Sequence, residues 1–362
     1  MKKQQKIIAK YIHILYSSEL KFSTRYLNAV FDSKNIFNPQ EHLFVTPHKN
    51  VYQALKSEGR IILDVSGSNL LNKYSQVSKW LVTNPPPPNK EFLLASRKAR
   101  KKTIVRYWGN STVTSLSLKI KSPTSLIKNL FKIILFRFMY SSYAAIGVAN
   151  TVDILDISRI YKSGNFYIMP LGFTDSLEDI IATTNRTDFE SVNIVIGQKG
   201  TPENNHIKII NCLNMYSDNN FKIYIPVSYG NDEYIKMLKK YICRHKLNNV
   251  IMIEDMMSYT DYVRLLNKMD IAIYDGLDSY ALGNIAIMLS LKKKIYLNAS
   301  GIIKQAFDKD QLPYGVIDDI GVINYKEFIK PCDYSGINGT NLKLKTRKEF
   351  NDYWGIILKK FN

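Results

Sequence analysis

The chain has 362 residues, with 50 Lys and Arg against 31 Asp and Glu, a formal net charge of +19, and 45% apolar residues. Those values place it among soluble globular proteins long enough for two domains, each with its own core. Cys212, Cys243 and Cys332 lie far apart without a C-x-x-C spacing, which argues against a disulfide framework or a structural zinc and makes the cytoplasm the default compartment. Lysines interrupt the first ten residues before any long apolar core, so no signal peptide is read there. No run of 18 uncharged apolar residues exists to span a membrane.

The first half reads as irregular βα units. Strands are expected at Ile7–Tyr16, Leu43–Thr46, Ile61–Val65, Thr103–Trp108 and Ala145–Ala149. Helices are expected at Arg25–Phe31, at Asn69–Leu81 after the turn Val65–Ser68, and at Thr151–Ile160 behind an Asn150 cap. Pro85–Pro88 is a stiff polyproline loop. Pro123–Tyr140 is a helix that is apolar around most of its circumference yet too short and charged to span. It suits either an interfacial helix or a buried one with snorkelling cations. Leu171–Asn185 has the look of a linker.

The second half is cleaner. Strands at Val192–Ile196, Phe221–Val227, Asn249–Ile253 and Ile271–Tyr274 alternate with amphipathic helices, the pattern of a parallel sheet with right-handed crossovers. Past Ile317 the order loosens, and an amphipathic helix at about Thr346–Phe361 ends the chain. The domain boundaries expected are 1–175, 176–335 and a tail with helix at 336–362.

In such a sheet the ligand sits at the carboxyl ends of the strands. Two turns there suit an anion: Gly197-Gln-Lys-Gly200, with Thr201 and Pro202 opening the next helix, and Asp275 to Gly283-Asn284, running into Ile285–Leu291. Gly-x-x-Gly is also common in α/β proteins without a ligand. Neither turn is a P-loop or a G-x-G-x-x-G fingerprint, which sets aside ATP hydrolysis and nicotinamide chemistry. A nucleotide-type donor is the remaining implication.

Charge separates the halves. Residues 1–175 carry 26 Lys and Arg against 9 Asp and Glu, and residues 176–362 carry 24 against 22. Between Lys90 and Arg137 there are 12 basic residues and one acid, Glu91. An anionic partner of the first half is expected. Aromatics are not interleaved with that basic cluster, and no zinc finger or RNP-like motif occurs, so nucleic acid is not the expected partner.

The chain resembles the Fuc4NAc transferase family, which moves 4-acetamido-4,6-dideoxygalactose from a dTDP donor to lipid II of enterobacterial common antigen. The matching residues are Ile12-His-Ile-Leu15, Tyr107-Trp-Gly109, Ile194–Gly200, Asn205-His-Ile207, Ile225–Gly230, Glu233-Tyr-Ile235, Tyr262–Leu266 with Asp270, and Gly283 followed by Pro313. They are densest over Val192–Pro313. The resemblance implies an α/β GT-B fold, two Rossmann-like domains facing across a cleft, with the C-terminal helix packing back toward the first. It also implies a peripheral enzyme at the cytoplasmic face of the inner membrane, acting on a polyprenyl-diphosphate-linked saccharide.

Transfer needs a held diphosphate, a deprotonated acceptor hydroxyl and exclusion of water. No metal-binding Asp-x-Asp cluster stands out, so no metal or cofactor is expected. Gly197, Lys199, Gly200, Gly283 and Asn284 are assigned to the diphosphate. The resemblance places Tyr229 and Gly230 near the donor, Asp255 at its base, and Asp275, Asp278 and Tyr280 at its sugar. Glu19 and His13 are the candidate general bases, and Trp108, Gly109 and Asn110 line the acceptor side. Here the chain departs from its relatives, with Ser111 where they carry an acid. An anionic membrane surface is expected to meet Lys98, Arg100, Lys101, Lys102, Lys128, Lys132 and Arg137. A different surface-glycan transferase with a UDP-sugar is the alternative, and a sugar-nucleotide epimerase of this fold is a further one.

Overall fold

The computed structural model describes residues 8–56, 61–108, 123–159, 161, 166–174, 177, 191–335 and 337–362. It divides into two compact units, Met1–Thr174 with Lys345–Asn362, and Asp175–Leu344.

The first unit is built on a parallel sheet of seven strands: β1 (Ala9–Leu15), β2 (His42–Thr46), β3 (Ile61–Leu63), β4 (Ser78–Asn84), β5 (Thr103–Arg106), β6 (Ala145–Val148) and β7 (Phe166–Ile168). Their spatial order is β3-β2-β1-β4-β5-β6-β7, so the winding reverses between β1 and β4. Among the described residues, its helices before the second unit are α1 (Leu20–Asp32), α2 (Lys49–Leu55), α3 (Leu70–Ser75), α4 (Asn89–Leu94), α5 (Arg97–Lys101), α6 (Pro123–Ser141) and α7 (Thr151–Ser158). Asn150 caps α7 as expected, its side chain accepting from the amides of Val152 and Asp153.

Two elements differ from expectation. The helix expected over Asn69–Leu81 stops at Ser75, and the rest is β4, which pairs with both β1 and β5. Leu81, Val82, Thr83 and Asn84 are all buried, so β4 lacks the alternation that marks a half-exposed strand. Most of the expected linker Leu171–Asn185 lies outside the described residues, and β7 just before it was not foreseen.

The second unit repeats the plan with β8 (Val192–Ile196), β9 (Phe221–Pro226), β10 (Val250–Ile253), β11 (Ile271–Tyr274), β12 (Lys294–Leu297) and β13 (Gly315–Val316). Their order is β10-β9-β8-β11-β12-β13, with every pairing parallel and the reversal between β8 and β11. Its helices are α8 (His206–Leu213), α9 (Asp232–Arg244), α10 (Tyr259–Asn267), α11 (Leu282–Ser290), α12 (Ile302–Lys309) and α13 (Tyr325–Ile329). Local chemistry sets α9: Asn231 accepts from the Tyr234 amide, Asp232 and Glu233 sit in the first turn, and Arg244 ends it. Beyond Ile317 the chain stays ordered, because Phe328 on α13 is buried against Tyr216 and Tyr296.

The last helix, α14 (Arg347–Lys360), starts at a capping box of Thr346 and Glu349 and packs into the first unit. Trp354 is buried against Tyr26 and Phe37, with its indole N–H donating to the Pro170 carbonyl at 3.3 Å. It is a core residue of that unit. Trp354→Ala is therefore expected to lower unfolding stability by about 3–5 kcal/mol. Chemical denaturation checks this, and a loss within about 0.5 kcal/mol would mean the helix is a dispensable tail.

Candidate active site

In the second unit, the loops after β8 and β11 meet where the strand order reverses, the position at which doubly wound sheets bind ligands. A buried carboxylate organises them. Asp275 follows β11, is 2% exposed, and accepts from Asn205 Nδ2 at 3.0 Å, Lys208 Nζ at 3.1 Å and Asn298 Nδ2 at 2.6 Å. Both its oxygens accept, so it ties three loops together, a role different from the sugar contact assigned to it from the sequence. Asn205, Lys208 and Asn298 were not singled out for this role. Asn205 sits in the left-handed region (φ 48°) just before α8, a position that Asn tolerates.

The glycines of the first turn are used for packing. The Gly197 amide donates to the Ile273 carbonyl at 3.0 Å and the Gly200 amide to the Tyr229 carbonyl at 2.9 Å. Neither amide is left for a diphosphate, contrary to the assignment made from the sequence. Asn231 N–H donates back to the Gly200 carbonyl at 2.8 Å, locking the loop after β9 onto the loop after β8. Gly230 has φ +145°, and a Cβ there would lie 2.3 Å from the Gly200 carbonyl oxygen. His206, at the start of α8, is fully buried, with its Nδ1 3.1 Å from the Tyr234 hydroxyl. Burial pushes its pKa down to about 4, so the ring is neutral near pH 7.

The second turn differs. Ala281 occupies the left-handed N-cap position of α11 (φ 59°), and no side chain caps that terminus. A Cβ at Gly283 would meet nothing within 4 Å, so the first turn of this nine-residue helix is open at that residue. Lys199 reaches the neighbouring turn, its ammonium 5.1 Å from the Tyr280 ring centroid. Burial, followed by the charges of Asp278 and Glu203, raises the Tyr280 pKa. Asn284 donates to the Tyr262 hydroxyl at 2.6 Å, so its amide is oriented by α10. Open amides, a cation and a polar rim are what a diphosphate requires.

At the ends of β9 and β10, Tyr229, Asp255, Met256, Met257 and Tyr259 are all exposed. Ser228 Oγ lies 3.9 Å from Met256 Sδ, which brings these two loops together. Asp308 and Asp310 have Asp-x-Asp spacing, but Asp308 binds Lys304 and Tyr314 and Asp310 accepts from Thr340 at the end of α12. Among the described residues no group of three His, Cys, Asp or Glu could hold a metal ion.

In the first unit His13 lies mid-strand, 1% exposed, bonded to the Tyr26 hydroxyl and to His42, each at 2.8 Å. Desolvation and His42 hold its pKa well below the ordinary histidine value. Its stack on Phe44, with ring centroids 4.6 Å apart, makes it part of the core and removes it from the candidate bases. Glu19 instead sits in the loop after β1, at the reversal point, as the exposed N-cap of α1. Nearby, Trp108 Nε1 donates to Asn84 Oδ1 at 2.8 Å and its ring meets Phe22 edge-on. Gly109, Asn110 and Ser111 lie outside the described residues, as do the side chains of Lys128 and Lys132.

Of the remaining cations expected at a membrane, Lys98, Lys101 and Arg137 are exposed. Lys102 turns inward, donating to the Ser75 and Ser78 carbonyls at 2.9 Å. Arg100 is held over the Phe92 and Phe138 rings, 5.0 and 5.6 Å from their centroids.

Two such parallel units constitute the GT-B fold. A glycosyltransferase from Rickettsia africae covers 98% of this chain and 94% of its own, at 12% identity and TM-score 0.59. Anabaena Alr3699/HepE in complex with UDP covers 97% and 100%, at 10% identity and TM-score 0.65. The lipopolysaccharide outer core galactosyltransferase WaaB covers 96% and 99%, at 11% identity and TM-score 0.62. Residues 163–338, just under half the chain, match the family described as 4-alpha-L-fucosyltransferase glycosyl transferase group 56. These likenesses mark the chain as a glycosyltransferase of the GT-B fold, and residues 163–338 are similar to a fucosyltransferase family. No curated protein sequence matches the chain.

Because a Cβ at Gly230 meets backbone, Gly230→Ala is expected to cost at least ~2 kcal/mol of second-unit stability. Thermal unfolding checks this; an unchanged midpoint would show that the two loops are not locked together.

Proposed function

We propose that the enzyme transfers a deoxyamino sugar of the Fuc4NAc type from a dTDP donor to a saccharide carried on a polyprenyl diphosphate. In this reading it works peripherally, at the cytoplasmic face of the inner membrane, in the synthesis of a bacterial surface polysaccharide resembling enterobacterial common antigen. The observation that carries it is the uncapped α11 terminus, open at Gly283, at the reversal of the second sheet beside Lys199. The α11 amides and the Lys199 ammonium take the charge that develops on the leaving diphosphate. Tyr229 and the Met256–Tyr259 loop offer apolar surface for a nucleobase, and Asp255 a carboxylate beside it. Asp278 and Tyr280 are nearest the sugar. In the first unit Glu19 takes the proton of the acceptor hydroxyl. The donor is a substrate, and no resident cofactor enters this reading.

The fucosyltransferase description of residues 163–338 supports a deoxy sugar. A UDP-sugar is the second reading, favoured by the UDP complex of the Anabaena protein.

Thermal shift with dTDP, UDP, GDP and CMP is expected to rank dTDP first; UDP first would select the second reading, and no shift with any nucleotide would sink both. Gly283→Leu adds atoms only to open space, so it should keep the unliganded melting temperature while weakening nucleotide binding by at least roughly tenfold. Equal binding by the variant would remove the diphosphate from α11. In the transfer assay Glu19→Gln should lower kcat by roughly 10²-fold or more with donor affinity unchanged. Full turnover by that variant would assign the base elsewhere.

A further inference from the structure

α6 is apolar on two opposite faces, and only one of them is covered. Phe136, Met139 and Tyr140 are buried with Phe92, Val105 and Tyr107 in the core of the first unit. On the other side Leu130, Phe131, Ile134 and Phe138 are 51%, 67%, 65% and 54% exposed. At 3.6 residues per turn these four fall within roughly 100° of arc, so they form one continuous ridge. The ridge extends onto α4. Phe138 meets Phe92 edge-on at 6.1 Å, and the next two residues of α4, Leu93 and Leu94, are 60% and 51% exposed. Isolated surface hydrophobics need no explanation, but six on adjoining helices form a patch of the kind that marks an interaction surface.

Charge identifies the occupant. Lys90, Arg97, Lys98, Lys101 and Arg137, on the same three helices α4, α5 and α6, are exposed. The single acid between residues 90 and 137, Glu91, is 1% exposed and turned inward, accepting from the Leu71 amide at 2.6 Å. Its carboxylate serves the N-terminus of α3, so none of its charge offsets the surrounding cations. A second copy of the chain would bring cations against cations. An anionic bilayer offers an apolar interior for the ridge and phosphates for its rim.

We propose that α6 and the end of α4 form a docking face for an anionic lipid surface, with the Leu130–Phe138 ridge inserted below the headgroups and the cations of α4 and α5 at them. The α6 helix lies in the plane of the interface; no helix among the described residues is long and apolar enough to cross a membrane. This deepens the reading of a lipid-linked acceptor and rests on it only for the purpose of docking. The cations that matter differ from those expected from the sequence: Lys90 and Arg97 join Lys98 and Lys101, while Lys102 and Arg100 serve the interior.

The test is sedimentation of the full chain with vesicles of phosphatidylcholine, with and without phosphatidylglycerol, at about 0.1 M and about 0.5 M salt. Phe131→Gln with Ile134→Gln removes the ridge at exposed positions using a good helix former. The unaltered chain should sediment with phosphatidylglycerol vesicles, and the double variant should lose affinity on the order of 100-fold at both salt concentrations. Arg97→Gln with Lys98→Gln and Lys101→Gln should lose at least roughly tenfold at low salt, and little more at high salt. Absence of vesicle binding, or equal binding by the double variant, would overturn the proposal. So would a dimer of the unaltered chain that the double variant splits, because the ridge would then belong to a second copy. Transfer to a short-chain, water-soluble diphosphate-linked sugar separates the two claims. The double variant should retain it, whereas vesicle binding by a chain that transfers nothing would leave the docking face standing and the proposed reaction refuted.

Discussion

A buried carboxylate with three side-chain partners organises the second unit. Asp275 takes hydrogen bonds from the loop after β8 and the start of α8, through Asn205 and Lys208, and from the loop after β12, through Asn298. Removing such a charge from water costs several kcal/mol unless its lone pairs are satisfied, which these donors do. The Lys208 side chain is 49% exposed while that of Asp275 is 0%, so the pair has a wet end and a dry end. The dry end ties the loops after β8, β11 and β12 to one another.

The glycines around this point divide by physical role. Gly197 and Gly200 spend their amides on other backbone carbonyls, and Gly230 is required because two main chains touch. Gly283 is different: nothing in its surroundings would resist a side chain. Close packing explains the first three, against side chains at Gly197 and Gly200 and against backbone at Gly230, whereas Gly283 is open. A turn rich in glycine can thus be a structural joint.

Much of this plan was legible in the residues. Strands β8 and β11 were read with their observed bounds, because each is a short β-branched run flanked by polar turns. β4 was not, since Leu70, Leu71, Tyr74, Val77 and Leu81 mimic helical spacing and a strand covered on both faces shows no alternation. β12 and β13 were also missed; the second is only two residues long. Lys199, Tyr280, Gly283 and Asn284 were singled out from their position after a strand, and the structure has them in the turns and helix start that follow β8 and β11. Asp275 was recognised as important but given the wrong neighbours, because its partners come from positions 205, 208 and 298, which sequence spacing does not connect. His13 illustrates the same limit: a histidine on a strand carries no mark of whether its ring meets solvent or, as here, Tyr26 and His42.

The return of α14 to the first unit has a consequence for the order of synthesis. Tyr26 and Phe37 leave the ribosome more than 300 residues before Trp354, which packs against both. The intervening Asp175–Leu344 has its own core and is complete before that tryptophan emerges. Of the two units, the one whose translation begins earlier is thus sealed later. Until Trp354 emerges, a patch of its aromatic interior stays open to water, and to any chaperone that recognises such a surface.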